Sequence, residues 1–188
     1  RIEADAFSYS GRSSVTLPST LYYIGARAFT YCQNLKQVTL PAGLTGLGES
    51  AFHGSGLVQI AFPAALSIIP KSAFESCLAL RSLVIPATVE EIGADAFRWC
   101  DLTSIVFDDR DENDVFLGDG CFAGNVRLRE CILPEGITYL PPSMLAGDDR
   151  VGSIDLPAIR IPASVVSVGN LVPIKGHATL IEAMKHVH

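Results

Sequence analysis

Residues 80–100 read Leu-Arg-Ser-Leu-Val-Ile-Pro-Ala-Thr-Val-Glu-Glu-Ile-Gly-Ala-Asp-Ala-Phe-Arg-Trp-Cys, and this stretch decides the fold. Its first part alternates apolar residues with others up to Ile85, which predicts a short strand. Pro86 ends that strand, because proline lacks an N–H and has a fixed φ. The second part has room for one or two helical turns that place Phe97 inward.

The same pattern recurs along the chain in a constant phase. Successive aromatic positions are separated by 22, 23, 22, 23, 25 and 23 residues. A unit of this length cannot bury its apolar side alone, so the units are expected to stack into a solenoid with parallel strands. The repeated pairs are Ala6-Phe7, Ala28-Phe29, Ala51-Phe52, Ala73-Phe74, Ala96-Phe97, Cys121-Phe122 and Met144-Leu145.

A second signature, an apolar residue followed by proline, runs in phase with the first. Phe107-Asp108 is its one exception. The pairs are Leu17-Pro18, Leu40-Pro41, Phe62-Pro63, Ile85-Pro86, Leu133-Pro134 and Leu156-Pro157.

These units resemble the leucine-rich repeats of the BspA-like family, which read Leu-x-x-Ile-x-Ile-Pro-x-x-Val-x-x-Ile-Gly-x-x-Ala-Phe-x-x-Cys. The resemblance covers residues 1 to about 157, and residues 80–100 match almost position for position. It implies an α/β leucine-rich-repeat solenoid of about seven repeats within residues 1–169. A parallel sheet is expected on the concave face and short helices or turns on the convex side.

The resemblance also implies a role and a location. BspA-like solenoids are displayed on bacterial or protist surfaces and serve adhesion or recognition, so we expect a non-enzymatic protein at the cell surface or secreted. Residues 2–7 align with residues 92–97, and the chain therefore begins inside a repeat. We expect it to be a fragment of a longer array.

Composition narrows the function classes. The chain has 188 residues, of which 48% are hydrophobic, so it is expected to bury a continuous core in about one domain. It carries 14 Lys and Arg against 20 Asp and Glu, which disfavours a nucleic-acid partner. Its most apolar stretch, residues 57–70, is interrupted and shorter than the roughly 20 residues of a membrane span, so no membrane insertion is expected.

The concave sheet face is the candidate binding surface. Side chains alternate across a strand, so residues between the inward positions point outward. An outer row runs through Thr16, Thr39, Ala61, Val84, Val106, Ile132 and Asp155, and a flanking row through Ser14, Gln37, Gln59, Ser82, Ser104, Glu130 and Ser153. The middle of the outer row is apolar, which is typical of a contact site for a protein or glycan. The alternative is that β-branched residues simply favour strands.

The five cysteines are interpreted as small buried core residues. Three of them share one repeat position, namely Cys32, Cys77 and Cys100, whereas Cys121 and Cys131 occupy other inward slots. A disulfide between Cys77 and Cys100 on neighbouring coils is the alternative. No Cys-x-x-Cys pair occurs, so we expect no zinc and no other cofactor.

An acidic insertion and one histidine are the remaining candidates for chemistry. Asp109, Asp111 and Asn113 imitate the start of a calcium loop, but Asp114 stands where that loop needs glycine. A solvated acidic loop is therefore favoured over a calcium site. His53 is the only histidine within the repeats and is interpreted as a surface residue, so no catalytic residues are predicted.

The tail, residues 170–188, has its own pattern. An amphipathic helix is predicted from about Ala178. Residues 168–183 resemble the start of the donor-binding half of GT-B glycosyltransferases at Val168, Gly169, Leu171, Lys175, Gly176 and residues 180–183. In that family Lys175 would hold the donor diphosphate, while Asn170 replaces the expected arginine. The tail is interpreted either as a helix that caps the solenoid or as the beginning of a transferase domain.

Three functional hypotheses follow. The first is a recognition module that binds a protein or glycan through the concave face. The alternative is a fragment of a repeat-fused GT-B glycosyltransferase that uses a sugar-nucleotide donor. The third is a purely structural role, in which the array is a spacer that binds no partner.

Overall fold

The computed structural model describes residues 1–108, 115–134, 137, 139, 141, 143–146 and 158–160. The chain forms a solenoid in which each coil lies against the next and every strand pairing is parallel. The strands are β1 (Tyr23–Ile24), β2 (Gly46–Leu47), β3 (Ile68–Ile69), β4 (Ser82–Ile85), β5 (Glu91–Ile92), β6 (Ser104–Phe107), β7 (Phe116–Leu117), β8 (Glu130–Ile132) and β9 (Ala158–Arg160).

The predicted strand position forms the longest sheet, with the order β4-β6-β8-β9. In β4 and β6 the side chains alternate between outside and core, as the sequence predicts. Asp108, which replaces the proline of the other coils, donates its N–H to the carbonyl of Ile85 at 2.9 Å. Proline has no N–H, so the coils whose strand ends in proline cannot make this inter-coil hydrogen bond.

A second set of short strands was not predicted. It lies at the aliphatic position five residues before each aromatic, as the sheets β1-β2 and β3-β5-β7. An isolated bridge between Ile2 and Ile24 extends it to the first coil, which places Ile2 in the repeat phase expected from the sequence. The coils that carry β4 and β6 therefore meet along two strand ladders and not one.

The Ala-Phe segments form turns, and the helical turns expected there are not present among the described residues. In each segment some N–H groups bond to the carbonyl three residues back, as Thr30 does to Arg27. Other N–H groups bond to a carbonyl of the next coil, as Phe29 does to Ala51. Residues two before and two after the aromatic have positive φ, as at Arg27 (53°) and Tyr31 (53°). This left-handed backbone interrupts a helix and turns N–H groups toward the next coil.

One continuous core fills the solenoid, and a column of phenylalanine rings lies along it. Neighbouring rings stack with centroid distances of 5.1 to 5.7 Å. The N–H of Phe97 bonds to the carbonyl of Cys121, the residue before Phe122, and the N–H of Phe122 bonds in the same way to the carbonyl of Met144, the residue before Leu145. Leu145 therefore takes the seventh position of the column, where it packs partly buried against the core. The predicted column is confirmed, and its members are Phe7, Phe29, Phe52, Phe74, Phe97 and Phe122.

The end of the sheet differs from the prediction. The backbone of Ala158 pairs with Glu130 and that of Arg160 with Ile132, so the two rows continue there and not at Ser153 and Asp155. The domain boundary at 169 and the predicted tail helix lie outside the described residues.

Candidate binding surface

The ten residues predicted for the binding surface line up on one face of the solenoid, which we call the sheet face. Strand register pairs Ser82 with Ser104 and Val84 with Val106, and it continues both rows to Glu130 and Ile132. Three residues are half-buried, namely Ser104, Val106 and Ile132. The other seven are exposed, namely Gln37, Thr39, Gln59, Ala61, Ser82, Val84 and Glu130.

The C-terminal half of the sheet face lies on strands that are hydrogen-bonded in regular register. Its outer row consists of Val84, Val106 and Ile132, and Val84 is 51% exposed. Ser82 and Ser104 flank this row on the same side of the sheet. The result is an apolar strip with a polar margin on paired strands.

The N-terminal half has a different shape. Segments 37–40 and 59–61 enclose an open groove of about 360 Å³. Four of the predicted residues line it, namely Gln37, Thr39, Gln59 and Ala61. The sequence placed these side chains outside but gave no sign of the groove, because both segments read as strands in the regular repeat.

Charges lie mainly at the margin of the face. Arg81 pairs with the carboxylate of Asp101 on the next coil, and Arg127 approaches the same carboxylate at 3.4 Å. Glu130 is the only charged residue among the ten. The face therefore offers apolar contact and neutral hydrogen-bonding groups more than charge.

A second exposed row was missed by the sequence reasoning. The residue before each aliphatic position of the second ladder points outward, and several of these residues are large and apolar: Tyr23, Ile68, Phe116 and Tyr139. Phe116 is 60% exposed. The signal was present as Tyr-Ile-Gly, Ile-Ile-Pro and Phe-Leu-Gly at the same repeat position, and it was overlooked because no strand was predicted there.

All five cysteines are buried free thiols, which agrees with their interpretation as core residues. Cys77 and Cys100 do not form a disulfide. The three cysteines at the shared repeat position have a further role. Each donates its thiol hydrogen to the carbonyl of a phenylalanine on the preceding coil, from Cys32 to Phe7 (3.0 Å), Cys77 to Phe52 (3.2 Å) and Cys100 to Phe74 (3.1 Å). Other repeats have Ser or Asn at this position, and the side chains of Ser, Asn and Cys can all donate a hydrogen bond. This shared property was the sequence signal for the role.

His53 is less exposed than expected for a surface histidine. Its Nε2 lies 3.2 Å from the Tyr31 hydroxyl and its Nδ1 lies 3.5 Å from the Glu75 carboxylate. These three side chains belong to three successive coils and connect them on the side of the Ala-Phe turns. The histidine thus has a structural explanation.

Other candidates for chemistry are limited by what the structure describes. The insertion residues Asp109, Asp111 and Asn113 lie outside the described residues, and so does the tail residue Lys175. Within the described part, no group of three or more His, Cys, Asp or Glu residues is arranged to hold a metal ion. That part also contains no helix with the length and hydropathy of a membrane span.

Comparison with known proteins agrees with the repeat architecture. The family model for the BspA type leucine rich repeat region matches residues 1–116 in six copies, which is more than half of the chain. No curated protein matches the sequence.

The similar solved structures include three leucine-rich repeat proteins. A T. pallidum leucine-rich repeat protein is 31% identical over 74% of this chain and 64% of its own, with a TM-score of 0.62. A leucine-rich cell surface protein from Faecalibacterium prausnitzii is 27% identical over 90% of this chain and 53% of its own (TM-score 0.52). A leucine-rich repeat protein from Bacteroides ovatus shares the fold at 23% identity over 82% of this chain and 53% of its own (TM-score 0.57). The chain thus spans about half the length of two of these proteins.

Proposed function

Because this chain belongs to the BspA-type leucine-rich repeat proteins, we propose that it is a non-enzymatic recognition module which binds a protein or glycan through its sheet face. The similarity to a cell surface protein of Faecalibacterium prausnitzii supports a location at the cell surface or outside the cell. The adhesive role and the ligand-binding residues are part of this proposal.

One observation carries the proposal. Val84, Val106 and Ile132 stand next to one another on three hydrogen-bonded strands, and the side chain of Val84 is half exposed. A contiguous apolar strip in water is costly unless a partner covers it, and such strips mark interaction sites. The serines and Glu130 beside it supply the polar rim that is usual around the apolar centre of an interface.

The decisive variant carries Val84→Lys, Val106→Lys and Ile132→Lys. The wild-type chain is labelled and applied to an array of purified secreted proteins and glycans, and any ligand that it retains is tested with the variant. We expect the variant to lose these ligands, because three charges replace the apolar strip. Val84 is the most exposed of the three positions, so the single variant Val84→Lys should have the circular dichroism spectrum of the wild type.

A matched control carries three lysines on loops away from the sheet face, at Leu78, Thr88 and Val126, all of which are exposed. This control has the same net charge as the decisive variant and should keep every ligand. If both variants retained the ligands equally, the sheet face would have no role in recognition. Strand propensity would then be the reason for its β-branched residues.

A further inference from the structure

The groove in the N-terminal half of the sheet face has unpaired backbone on both walls. Within the described residues, segments 37–40 and 59–61 make no backbone hydrogen bonds. Just before them, the N–H of Gly56 bonds to the carbonyl of Cys32 and the N–H of Val58 bonds to that of Lys36, each at 3.1 Å. The equivalent strands β4 and β6 pair along four residues. The coils are therefore joined where the segments begin and not along the groove.

The core is also less well covered at this point. The inward residues Val38 and Ile60 are each 9% exposed, whereas their equivalents Leu83 and Ile105 are 1% and 0% exposed. An apolar floor is thus accessible between two rows of neutral polar groups. Its volume of about 360 Å³ lies within the range of small-ligand sites, roughly 300 to 1,000 Å³.

We propose that this groove binds an extended peptide segment, which pairs through its own backbone with the free N–H and C=O groups of the groove walls. The proposal rests on the proposed function and assigns its ligand class. It places the specific contacts in the grooved half and makes the apolar strip around Val84 an accessory contact.

The chemistry of the walls favours a peptide over other ligands. A free strand edge presents donors and acceptors in alternation at a repeat of about 3.3 Å per residue, and an extended peptide presents the complementary series. Strand addition to such an edge is a known mode of peptide recognition. No charged side chain lines the groove, and the amides of Gln37 and Gln59 both donate and accept. An ionic ligand would find no counter-charge there.

The floor adds a preference in side chains. Val38, Leu40 and Ile60 contribute the apolar surface of the groove. Alternate side chains of an extended peptide point the same way, so every second residue of the bound segment should be a small or medium-sized apolar one. The residues between them would face solvent and vary freely.

The test uses a phage-displayed library of random dodecapeptides selected on the intact chain. Selected peptides are synthesised and titrated against the wild type, a Gln59→Trp variant and a Thr88→Trp variant. Both positions are exposed, but Gln59 lines the groove, whereas Thr88 lies in a turn and is not one of the ten residues of the sheet face. We expect Gln59→Trp to weaken binding at least about tenfold and Thr88→Trp to leave it nearly unchanged.

Two further readouts address the backbone contacts. Methylation of alternate peptide nitrogens should weaken binding in either of the two possible phases, because each phase removes the donors on one edge of the peptide and each edge pairs with one wall. The amides of Thr39 and Ala61 should exchange rapidly with solvent in the free chain and become protected when the peptide is added.

Each outcome separates this proposal from the one on which it rests. Peptides that bind Gln59→Trp as tightly as the wild type would overturn the groove as the peptide site and leave the sheet face as a recognition surface. Failure to select any peptide would likewise overturn the groove, while the array experiment with the Val84 strip would still decide the recognition function.

Discussion

The ring of Phe52 lies parallel to the ring of Phe74, with centroids 5.3 Å apart and planes inclined by only 5°. Both side chains are fully buried, and the two residues belong to neighbouring coils. The same relationship is repeated from coil to coil, so each ring covers the face of the next. Each of these rings thus packs against its own equivalents in the adjacent repeats.

Phe74→Ala should therefore destabilise the chain strongly. Removing a buried phenylalanine side chain usually costs about 3 to 5 kcal/mol of unfolding free energy, and here two stacked neighbours lose contact. Urea unfolding followed by circular dichroism measures the loss. Phe116→Ala is the matched control, because that ring is 60% exposed and its removal should change stability little. Similar losses for both variants would contradict the column as the main source of stability.

The positions of Phe74 and Val84 could be predicted because their environment repeats. An Ala-Phe pair in constant phase marks the inward aromatic, and the alternation around Leu83 marks the outward valine. The turns around the aromatics were harder to predict, because the left-handed φ of residues such as Trp99 depends on hydrogen bonds to the next coil. No residue pattern within one repeat encodes such a bond.

The groove and the last strand were not predictable for a related reason. Whether Thr39 pairs with the next coil depends on how far two coils separate, although its own segment reads as a regular strand. At the end of the sheet the repeat phase indicated Ser153 and Asp155 for the two rows, but the backbone of Ala158 pairs with that of Glu130. Long-range pairing, and not local pattern, decides both cases.

Asn125 should be the least replaceable of the residues at the shared cysteine position. Its Nδ2 donates to the carbonyls of Phe97 and Phe122 at 3.0 and 2.8 Å, and its Oδ1 accepts from the N–H of Leu102 at 3.1 Å. Asn125→Ala leaves three buried backbone groups without this partner, so we expect a loss of about 3 kcal/mol in unfolding free energy.

The control for that experiment is Asn34→Ala. Asn34 is exposed and makes a single side-chain hydrogen bond, to the carbonyl of Gly11 at 3.2 Å. Its replacement should alter the unfolding free energy by less than about 0.5 kcal/mol, as is usual for surface substitutions. If Asn125→Ala unfolded at the same urea concentration as this control, the network around Asn125 would have no role in stability.

Alkaline pH should destabilise the chain through its buried thiols. Burial raises the pKa of Cys131 from 9.0 to about 12, and it also raises the pKa values of Cys100 and Cys121. As the pH rises above 9, the unfolded chain loses thiol protons that the folded chain keeps, so the unfolded state binds fewer protons. The unfolding free energy must then fall with rising pH, by up to about 1.4 kcal/mol per pH unit for each such group.

The contribution of Cys131 can be isolated with Cys131→Val, which keeps an apolar side chain in the same slot. Urea unfolding between pH 8 and 11 gives the slope for both chains, and tyrosine ionisation affects them equally. We expect the variant to lose stability less steeply than the wild type above pH 9. Identical slopes would mean that the thiol ionises as easily in the folded chain as in the unfolded one.

Gly48 should tolerate no side chain, because two coils touch at this point. A Cβ atom built on Gly48 would lie 2.2 Å from the backbone nitrogen of Ala26 on the preceding coil, whereas one built on Gly43 meets nothing within 4 Å. Gly48→Ala must push the coils apart, so it should cost about 1 to 3 kcal/mol, which is typical of overpacking. Gly43→Ala should be neutral or stabilise by up to about 1 kcal/mol, because it restricts the unfolded chain. Thermal unfolding of the two variants measures the difference, and equal midpoints would contradict the close approach of the coils at Gly48.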